Sequence, residues 1–243
     1  MSNVPKSGWK IHNKIATLMQ FMPTDKIHHV IWDWNGTLLD DTLASVNAIN
    51  TMLTHRGLAN IDIPYYREIF GFPVIDFYRK VNFPLEQEDW GEVAREFHDL
   101  FLAEPSLRLH DGACDVLKHV QQCRLPQSIL SASEQGILDR LLDGFGIRSY
   151  FTDVFGVDNM HGVSKMELGR NLLQKLALPP EHVLLIGDTL HDAEVAQALG
   201  IQCVLVAHGH QSMPRLQQAG VPVFEDLRFF SHEGTKVTTE LPL

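Results

Sequence analysis

The 243-residue sequence is poor in cysteine and contains no long apolar run. Its three cysteines, Cys114, Cys123 and Cys203, are scattered and form no Cys-x-x-Cys pair. This pattern argues against a disulfide framework or a zinc site, and it favours small buried thiols in a reducing compartment. No apolar segment approaches the ~20 residues that are needed to span a bilayer. The lysines near the amino terminus precede only a short, interrupted apolar stretch, so we expect a cytoplasmic protein without a secretory signal.

Positive charge is also scarce, with 20 Lys and Arg against 30 Asp and Glu and a formal net charge of −10. Such an acidic balance argues against nucleic acid or an anionic membrane surface as a partner. It does not exclude a small anionic substrate, because a bound cation can reverse the local field. The length is sufficient for one large domain or two smaller ones.

Short apolar runs alternate along the chain with segments of helical period. The runs are residues 29–32, 128–130, 150–157, 183–186, 203–206 and 221–224. Their Val, Ile and Leu content, with little polar alternation, is typical of strands that are covered on both faces. Helical spacing lies between several of them, as in residues 137–145 and 168–176. The repetition of strand, helix and strand predicts an α/β fold with a doubly wound, Rossmann-like parallel sheet.

Residues 41–107 interrupt this alternation and contain only helical patterns. The first pattern begins at Leu43 and ends at Gly57, a favourable stop residue, and the last one runs from Trp90 to Phe101. We therefore predict a small helical domain at 41–107, inserted into an α/β core domain that comprises residues 26–40 and 108–230.

The two ends of the chain have weaker patterns. Residues 1–25 form an N-terminal extension in which Ile11, Ile15, Leu18 and Met22 have helical spacing. We expect an extra helix packed on the core, with a dimer contact as the alternative, so the protein is expected to be a monomer or a homodimer. Residues 231–243 are polar and aperiodic and are expected to form an irregular tail.

An acidic residue follows the first apolar run directly. Asp33 comes immediately after residues 29–32, and a turn containing Asn35, Gly36 and Thr37 follows it. In open α/β sheets, ligands bind at the carboxyl ends of the strands, where the strand order reverses. Asp33 is therefore expected to face a ligand, with the alternative that Asn35-Gly36 is only a turn dipeptide.

A second apolar run, at 183–186, also ends in acidic residues. Asp188 follows Gly187, and Asp192 comes four positions later. Magnesium prefers hard oxygen ligands, so two carboxylates at one strand end that face a third carboxylate favour a magnesium site. The alternative is that Asp188 or Asp192 only caps the following helix.

Two weaker elements lie between these acidic segments. Ser131 and Ala132 follow the run at 128–130, where a hydroxyl and adjacent backbone amides are suited to hold phosphate oxygens. Lys165 opens a helical segment and offers a cation for a charged centre. The alternatives are a turn serine and a solvated surface lysine.

The order of these elements resembles the four motifs of hydrolases of the haloacid dehalogenase (HAD) superfamily: Asp with Gly-Thr, then Ser, then Lys, then Gly-Asp with a second Asp. The resemblance covers nearly the whole chain from about residue 28 onward. The segments DWNGTLLDD and GDTLHDAEVAQALG, with the re-entry at 107–112, are similar to the phosphoglycolate phosphatase-like branch. The inserted helices resemble the small cap of that family.

This resemblance implies a magnesium-dependent phosphatase that hydrolyses a small phosphorylated metabolite through an aspartyl-phosphate intermediate at Asp33. It implies Mg²⁺ binding by Asp33, Asp188 and the backbone carbonyl of Asn35, with Asp192 ordering a metal-bound water or a ligand. It further implies that the phosphoryl group is held by Thr37, Ser131, Ala132 and Lys165. Dehalogenases of the same superfamily need a halide site and no metal, and the acidic pair disfavours that activity here.

Asn35 departs from the family pattern, in which a second Asp two residues after the nucleophile protonates the leaving alcohol. An amide cannot transfer a proton in this way, and acid–base catalysis typically contributes ~10²–10⁴-fold. Four interpretations remain open. The enzyme acts on substrates whose leaving group needs no proton, such as acyl phosphates or phosphonates, or His191 donates the proton instead. Alternatively, the intermediate is long-lived and serves transfer or switching, or the protein binds a phosphorylated ligand without turnover. We rank a genuine phosphatase first, whether or not Asn35 slows it.

Other polar and aromatic residues are assigned structural roles. We expect the cations Arg67, Arg79 and Lys80 to face water rather than a substrate carboxylate, and the aromatic side chains of 65–78 to form the core of the inserted helices. His208 and His210 are expected to be solvated loop residues. Asp40 and Asp41 are expected to be favourable residues at a helix start.

Overall fold

The computed structural model describes residues 27–157 and 165–230. Strands β1 (His29–Trp32), β4 (Gln127–Glu134), β5 (Asp153–Val157), β6 (Val183–Gly187), β7 (Gln202–Val206) and β8 (Val223–Phe224) form a parallel sheet. A separate antiparallel pair consists of β2 (Leu39–Asp40) and β3 (Arg108–Leu109). The order in the large sheet is β5-β4-β1-β6-β7-β8, so the direction of strand addition reverses beside β1. The predicted doubly wound α/β fold is confirmed.

Helices connect the strands on both sides of the sheet. They are α5 (Ala113–Gln122), α6 (Gln135–Gly144), α7 (Lys165–Leu176), α8 (Leu190–Leu199) and the short α9 (Met213–Leu216). Single 3₁₀ turns lie at Arg148–Tyr150, Pro180–His182, Gln217–Ala219 and Leu227–Phe230. The strand predicted at 150–157 therefore begins three residues late, because Phe151 N bonds Arg148 O and closes a turn.

Alternate residues of the central strands point into two separate apolar layers. Val30 and Trp32 of β1 face a cluster that includes α5 and α6, whereas Ile31 faces a cluster that includes α7 and α8. Because both faces of the sheet are covered, these strands read as continuous apolar runs in the sequence. Each fully buried Leu or Ile contributes about 1.5–3 kcal/mol relative to an exposed one.

Four helices are inserted between β2 and β3: α1 (Thr42–His55), α2 (Ile63–Ile69), α3 (Val74–Lys80) and α4 (Trp90–Leu102). They share an apolar cluster of their own, in which the aromatic residues Tyr66, Phe77, Tyr78 and Phe83 are buried. The β2–β3 pair closes the base of this insertion. The prediction of an inserted helical region is confirmed. The prediction that the aromatic side chains of 65–78 form its core holds for Tyr66, Phe77 and Tyr78, but Tyr65 and Phe72 are exposed.

The remaining predictions concern the two ends of the chain, the cysteines and membrane-spanning segments. The helix predicted within 1–25 and the tail at 231–243 lie outside the described residues. Among the cysteines, Cys203 is buried as predicted, but Cys114 is exposed and Cys123 is partly exposed; all three are free. No helix of the described ranges is both long and apolar enough to cross a membrane.

His29 gives the sheet a measurable pH dependence. Its Nε2 lies 2.8 Å from Ser128 Oγ in the neighbouring strand, and burial lowers the pKa of His29 to about 4 despite the opposing effect of Asp153. The unfolded chain takes up this proton below pH ~6.5, so folding stability that is present above pH ~6.5 is lost as the pH falls towards 4.

We therefore expect His29→Gln to reduce the loss of unfolding free energy between about pH 7 and about pH 5 by about 2 kcal/mol. Urea denaturation of both proteins at the two pH values measures this difference. Identical pH dependence in the two proteins would show that His29 takes up its proton equally in both states.

Candidate active site

Two acidic residues face each other where the strand order reverses. Asp33 follows β1 and Asp188 follows β6, and these strands are neighbours with Trp32 opposite Ile186. Asp33 N extends the pairing through a 2.8 Å hydrogen bond to Ile186 O. Carboxylate oxygens of Asp33, Asp188 and Asp192 lie within 4.8 Å of one another, and all three residues are buried. The sequence predicted this convergence from the ends of two separate runs.

Thr37 and Lys165 contact the two oxygens of Asp33. The Thr37 hydroxyl lies 3.1 Å from Asp33 Oδ2 and 3.2 Å from Asp188 Oδ1, so it bridges the two carboxylates. Lys165 Nζ donates to Asp33 Oδ1. Both Thr37 and Lys165 are buried, so Lys165 is not the solvated lysine of the alternative interpretation.

Asp192 connects the lysine to the start of α8. Its Oδ1 accepts from Lys165 Nζ at 2.5 Å, and its Oδ2 accepts from the backbone and hydroxyl of Thr189. The residue therefore caps the helix, as the alternative interpretation had it, and also holds Lys165 beside Asp33. Burial raises the pKa of Asp192, but the adjacent Lys165 outweighs this effect and the pKa is lowered. Burial opposes protonation of Lys165, but Asp192 and Asp33 raise its pKa above the usual value.

The charge balance of this cluster fits a divalent cation. Burial raises the pKa of Asp33 to about 6, although Lys165 opposes the change, and burial also raises the pKa of Asp188 well above its usual value. Three buried carboxylates share one ammonium group, so the site carries excess negative charge whenever they ionise, and the raised pKa values of Asp33 and Asp188 reflect the cost of that charge without a further cation. Hard oxygen donors with this excess charge suit Mg²⁺, so the residues present fit the metal that the family resemblance implies.

Two glycines allow the backbone to approach Asp188 closely. Gly36 has a φ of 74°, and a Cβ at this position would overlap Asp188 Oδ2 and the His210 ring. A Cβ at Gly209 would overlap the same carboxylate oxygen. The close approach lets His210 N donate to Asp188 Oδ2 at 2.6 Å. Asp188 is thus held from both the turn after β1 and the loop after β7.

Asn35 is held by two side chains that the sequence did not identify as part of the site. Its Nδ2 donates to Asp41 Oδ2 at 2.7 Å, and its Oδ1 accepts from Ser133 Oγ at 2.5 Å. Asp41 Oδ1 also accepts from Gly36 N at 2.7 Å and lies 3.2 Å from His210 Nε2. Asp41 stands at the start of α1, as predicted, but its carboxylate has a further role there. Asp41 precedes α1, but its buried carboxylate binds the turn after Asp33 and does not cap the helix.

His210 is buried and lies between Asp41 and the inserted helices. Its Nδ1 lies 3.0 Å from Tyr66 Oη of α2. Burial opposes its protonation, but Asp41 outweighs this effect and raises the pKa of His210 to about 9. The expectation of a solvated His210 is wrong, because the glycine beside it brings its backbone against Asp188.

His208 is also placed differently from the prediction. Its ring stacks on that of His110 with centroids 3.6 Å apart, and burial lowers the pKa of His208 to about 3. His208 Nε2 lies 3.1 Å from Thr37 O, and His110 Nε2 lies 3.1 Å from Gly36 O. The two rings therefore contact successive carbonyl groups of the turn that carries Thr37.

The predicted phosphate-binding segment lies on β4, beside β1. The buried Ser131 hydroxyl accepts from Ser133 N at 3.0 Å, and Ala132 between them is partly exposed. The contact with the turn after Asp33 comes from Ser133, not from Ser131. The pairing of β4 with β5 is irregular between Leu130 and Glu134, so the alternation of a regular strand gave no signal for this contact.

The inserted helix α2 is bound to the loop after β7 through main-chain carbonyls. Arg67 donates to Gly209 O at 2.8 Å and to His208 O at 2.7 Å. In the opposite direction, Arg215 Nη1 donates to Arg67 O at 2.7 Å and to Phe70 O at 2.8 Å. Arg67 is therefore neither solvated nor free to meet a substrate. Arg79 pairs with Asp76 on the exposed surface, as expected of a solvated cation.

Two further residues join the insertion to α8. Gln211 accepts from Leu190 N at 2.9 Å and donates to Phe70 O at 3.0 Å. The ring of His191, at the start of α8, stacks on Phe72 with centroids 4.7 Å apart, and its Nδ1 lies 3.4 Å from Glu194. These contacts engage His191 with the insertion and with its own helix.

Comparisons with known proteins agree with this geometry. The family model of haloacid dehalogenase-like hydrolases matches residues 30–206. A tyrosine-protein kinase, PtkA, of Mycobacterium tuberculosis is 27% identical over 196 residues, which is 77% of this chain and 65% of that protein. Phosphoglycolate phosphatase 1 of Pseudomonas aeruginosa is 24% identical over 208 residues, covering 82% of this chain and 76% of that protein.

A solved structure supports the fold. A haloacid dehalogenase-like hydrolase from Streptococcus pneumoniae superposes with a TM-score of 0.72 at 20% identity, covering 82% of this chain and 94% of that one. The family model spans the turn with Asp33, the inserted helices and the acidic residues after β6. The chain therefore belongs to the family of haloacid dehalogenase-like hydrolases, as the order of its motifs predicted.

Proposed function

We propose that this chain is a magnesium-dependent phosphatase that acts on a small phosphorylated metabolite through an aspartyl-phosphate at Asp33. The observation that carries the proposal is the buried Asp33 carboxylate at the reversal of strand order, with Lys165 on one oxygen and Thr37 on the other. A carboxylate held in this way is positioned as a nucleophile, and covalent catalysis divides a difficult transfer into two easier steps.

In the first step, an Asp33 oxygen forms a bond to phosphorus while the bond from phosphorus to the leaving-group oxygen breaks. Lys165 offsets the negative charge that gathers around the phosphoryl group, and Asp192 holds Lys165 in place. In the second step, water attacks phosphorus and the Asp33 carboxylate is released. Phosphoryl transfer depends mainly on positioning and electrostatic stabilisation, which are the functions that these residues fulfil.

The metal site in this proposal consists of Asp33, Asp188 and the backbone carbonyl of Asn35, with Asp192 beside them. When bound there, Mg²⁺ supplies positive charge that offsets the carboxylates and the phosphoryl oxygens. Thr37 bridges Asp33 and Asp188 through its hydroxyl and keeps the two carboxylates at a fixed separation.

We propose that the inserted region at 41–107 acts as a cap over the substrate. Its helix α2 contacts the loop that holds Asp188, through Tyr66 and Arg67. Closure of a cap excludes water from the reacting centre. Relatives that are named phosphoglycolate phosphatases support a small phosphorylated metabolite as the substrate class.

The proposal is tested with a panel of small phosphate esters, acyl phosphates and phosphonates. We expect phosphate release in the presence of Mg²⁺, and its loss when the metal is removed with a chelator. Malachite green detection of phosphate measures this release. Activity that is unchanged by chelation would contradict the magnesium dependence.

Asn35 favours a second candidate function, a protein that binds a phosphorylated ligand without turnover. In that case, calorimetry would detect Mg²⁺-dependent binding of a phosphate ester while no phosphate is released. Because one relative is named a tyrosine-protein kinase, transfer to a tyrosine-containing peptide is measured in parallel. Phosphopeptide formation without phosphate release would show that tyrosine, and not water, accepts the phosphoryl group.

A further inference from the structure

Asn35 and Asp41 form a hydrogen-bonded pair in which Asn35 donates and Asp41 accepts, and the neighbouring groups fix these two roles. Asp41 accepts three contacts: from Asn35 Nδ2, from Gly36 N and from His210 Nε2. Ser133 Oγ donates to Asn35 Oδ1 and fixes the orientation of the amide.

An aspartate at position 35 does not suit these surroundings. The carboxylate would stand at hydrogen-bond distance from Asp41 without a proton between them, because Asn35 Nδ2 and Asp41 Oδ2 are 2.7 Å apart. Two carboxylates in such contact cannot both be ionised without a large cost. An aspartate at position 35 would therefore have to keep a proton committed to Asp41, whereas the amide of Asn35 fills this contact without a titrating group.

Other groups near this turn already have partners. His210 has Tyr66 at one ring nitrogen and Asp41 at the other, while Lys165 is held between Asp33 and Asp192. His191 Nδ1 faces Glu194, and its ring lies against Phe72. These contacts engage both ring nitrogens of His210, the ammonium group of Lys165 and Nδ1 of His191.

We propose that Asp41 and Ser133 position Asn35 as a neutral hydrogen-bond donor, and that the site consequently acts on acyl phosphates and related anhydrides. This inference rests on the proposed phosphatase function and names its substrate class. In an acyl phosphate, the electron pair of the breaking P–O bond stays on a carboxylate, which leaves as an anion and needs no proton. An alkyl ester would have to expel an alkoxide, which is a much poorer leaving group.

The second step, hydrolysis of the aspartyl-phosphate, also proceeds without a proton from Asn35. Water attacks the phosphorus of the aspartyl-phosphate, the P–O bond to Asp33 breaks, and the carboxylate takes the electron pair. One proton of the water stays on the phosphate and the other passes to solvent. Asn35 donates a hydrogen bond in both steps and exchanges no proton.

Acetyl phosphate and ethyl phosphate make a suitable pair of probes, because they have similar size and differ in the leaving group. We expect the wild-type protein with Mg²⁺ to release phosphate from acetyl phosphate and to show kcat/KM for ethyl phosphate lower by ~10²-fold or more, the usual contribution of the missing acid catalysis. Comparable kcat/KM values for the two compounds would overturn the inference and leave the phosphatase function intact. Release from neither compound would contradict both.

The double variant Asn35→Asp/Asp41→Asn tests the pair itself. The amide introduced at position 41 can accept from Gly36 N and His210 through its oxygen, and its NH₂ group can donate to the carboxyl group introduced at position 35. Each hydrogen bond therefore keeps a partner. We expect the ratio of kcat/KM for ethyl phosphate to that for acetyl phosphate to rise by ~10²–10⁴-fold, since position 35 then carries a carboxyl group, which can exchange a proton in the reaction as an amide cannot.

Two further variants complete the test. Asn35→Asp alone places two carboxylates in contact, and we expect a smaller gain in this ratio together with a lower Tm. Asp40→Asn is the matched control, because Asp40 bonds Arg108 and lies outside the pair; its ratio is expected to equal that of the wild type. An unchanged ratio in the folded double variant would show that the placement of the amide at position 35 and the carboxylate at position 41 does not set the substrate class.

Discussion

Asp33→Asn is expected to lower the rate of phosphate release by about 10⁴-fold or more, because removal of a covalent nucleophile costs up to about 10⁶-fold. The amide oxygen can still accept from Lys165, so the fold is expected to persist. Mass spectrometry of the wild-type protein quenched in acid during turnover should detect one added phosphoryl group, and this group should be absent from the variant.

The matched control for this variant is Asp153→Asn. Asp153 lies at the start of β5, at the opposite end of the sheet's strands, and pairs with the exposed Lys175. We expect its rate of phosphate release to stay near the wild-type value. Labelling that persists in Asp33→Asn would place the nucleophile elsewhere.

Lys165→Met is expected to reduce both catalysis and stability. The substitution leaves Asp33 and Asp192 buried without their counter-charge, and breaking a buried ion pair from one side typically costs about 3–5 kcal/mol. The loss of charge stabilisation at the phosphoryl group is expected to lower kcat by ~10²–10³-fold. Urea denaturation in the absence of Mg²⁺ measures the first effect, and single-turnover phosphate release measures the second.

Lys175→Met on the same helix is the control for stability. Lys175 pairs with Asp153, but its side chain is 63% exposed, and such pairs contribute less than about 1 kcal/mol. A similar loss of unfolding free energy in the two variants would mean that the buried ion pairs of Lys165 stabilise the fold no more than the exposed pair of Lys175 does.

The sheet and the main acidic residues could be predicted from the sequence because they depend on local patterns. The apolar runs that end at Asp33 and Asp188 specify buried parallel strands, and the carboxyl ends of such strands meet at one edge. The helix that begins at Lys165 could also be predicted, because its apolar residues have helical spacing in the sequence. The predicted start of β5 was wrong, because Tyr150 belongs to a 3₁₀ turn that the hydrogen bond from Phe151 N to Arg148 O closes.

The surroundings of Asn35 could not be predicted in the same way. Asp41 and His210 come together from distant parts of the sequence, through two glycine-dependent close approaches to Asp188. Asp41 follows Asp40 in the sequence and resembles it, yet Asp40 pairs with Arg108 near the surface while Asp41 is buried. Residue type and spacing do not distinguish the two, because the difference depends on which side of β2 each residue occupies.

The exchange of arginine hydrogen bonds between α2 and the segment after β7 has a consequence for the substitutions that this chain can accept. Within the described residues, the side chains of Arg67 and Arg215 donate to main-chain oxygens of the opposite segment. Every residue type presents such an oxygen, so substitutions at the acceptor positions 70 and 208 can accumulate without loss of these bonds. The junction can thus stay constant through evolutionary time while the side chains around it change, and new substrate preferences can arise on an unaltered attachment.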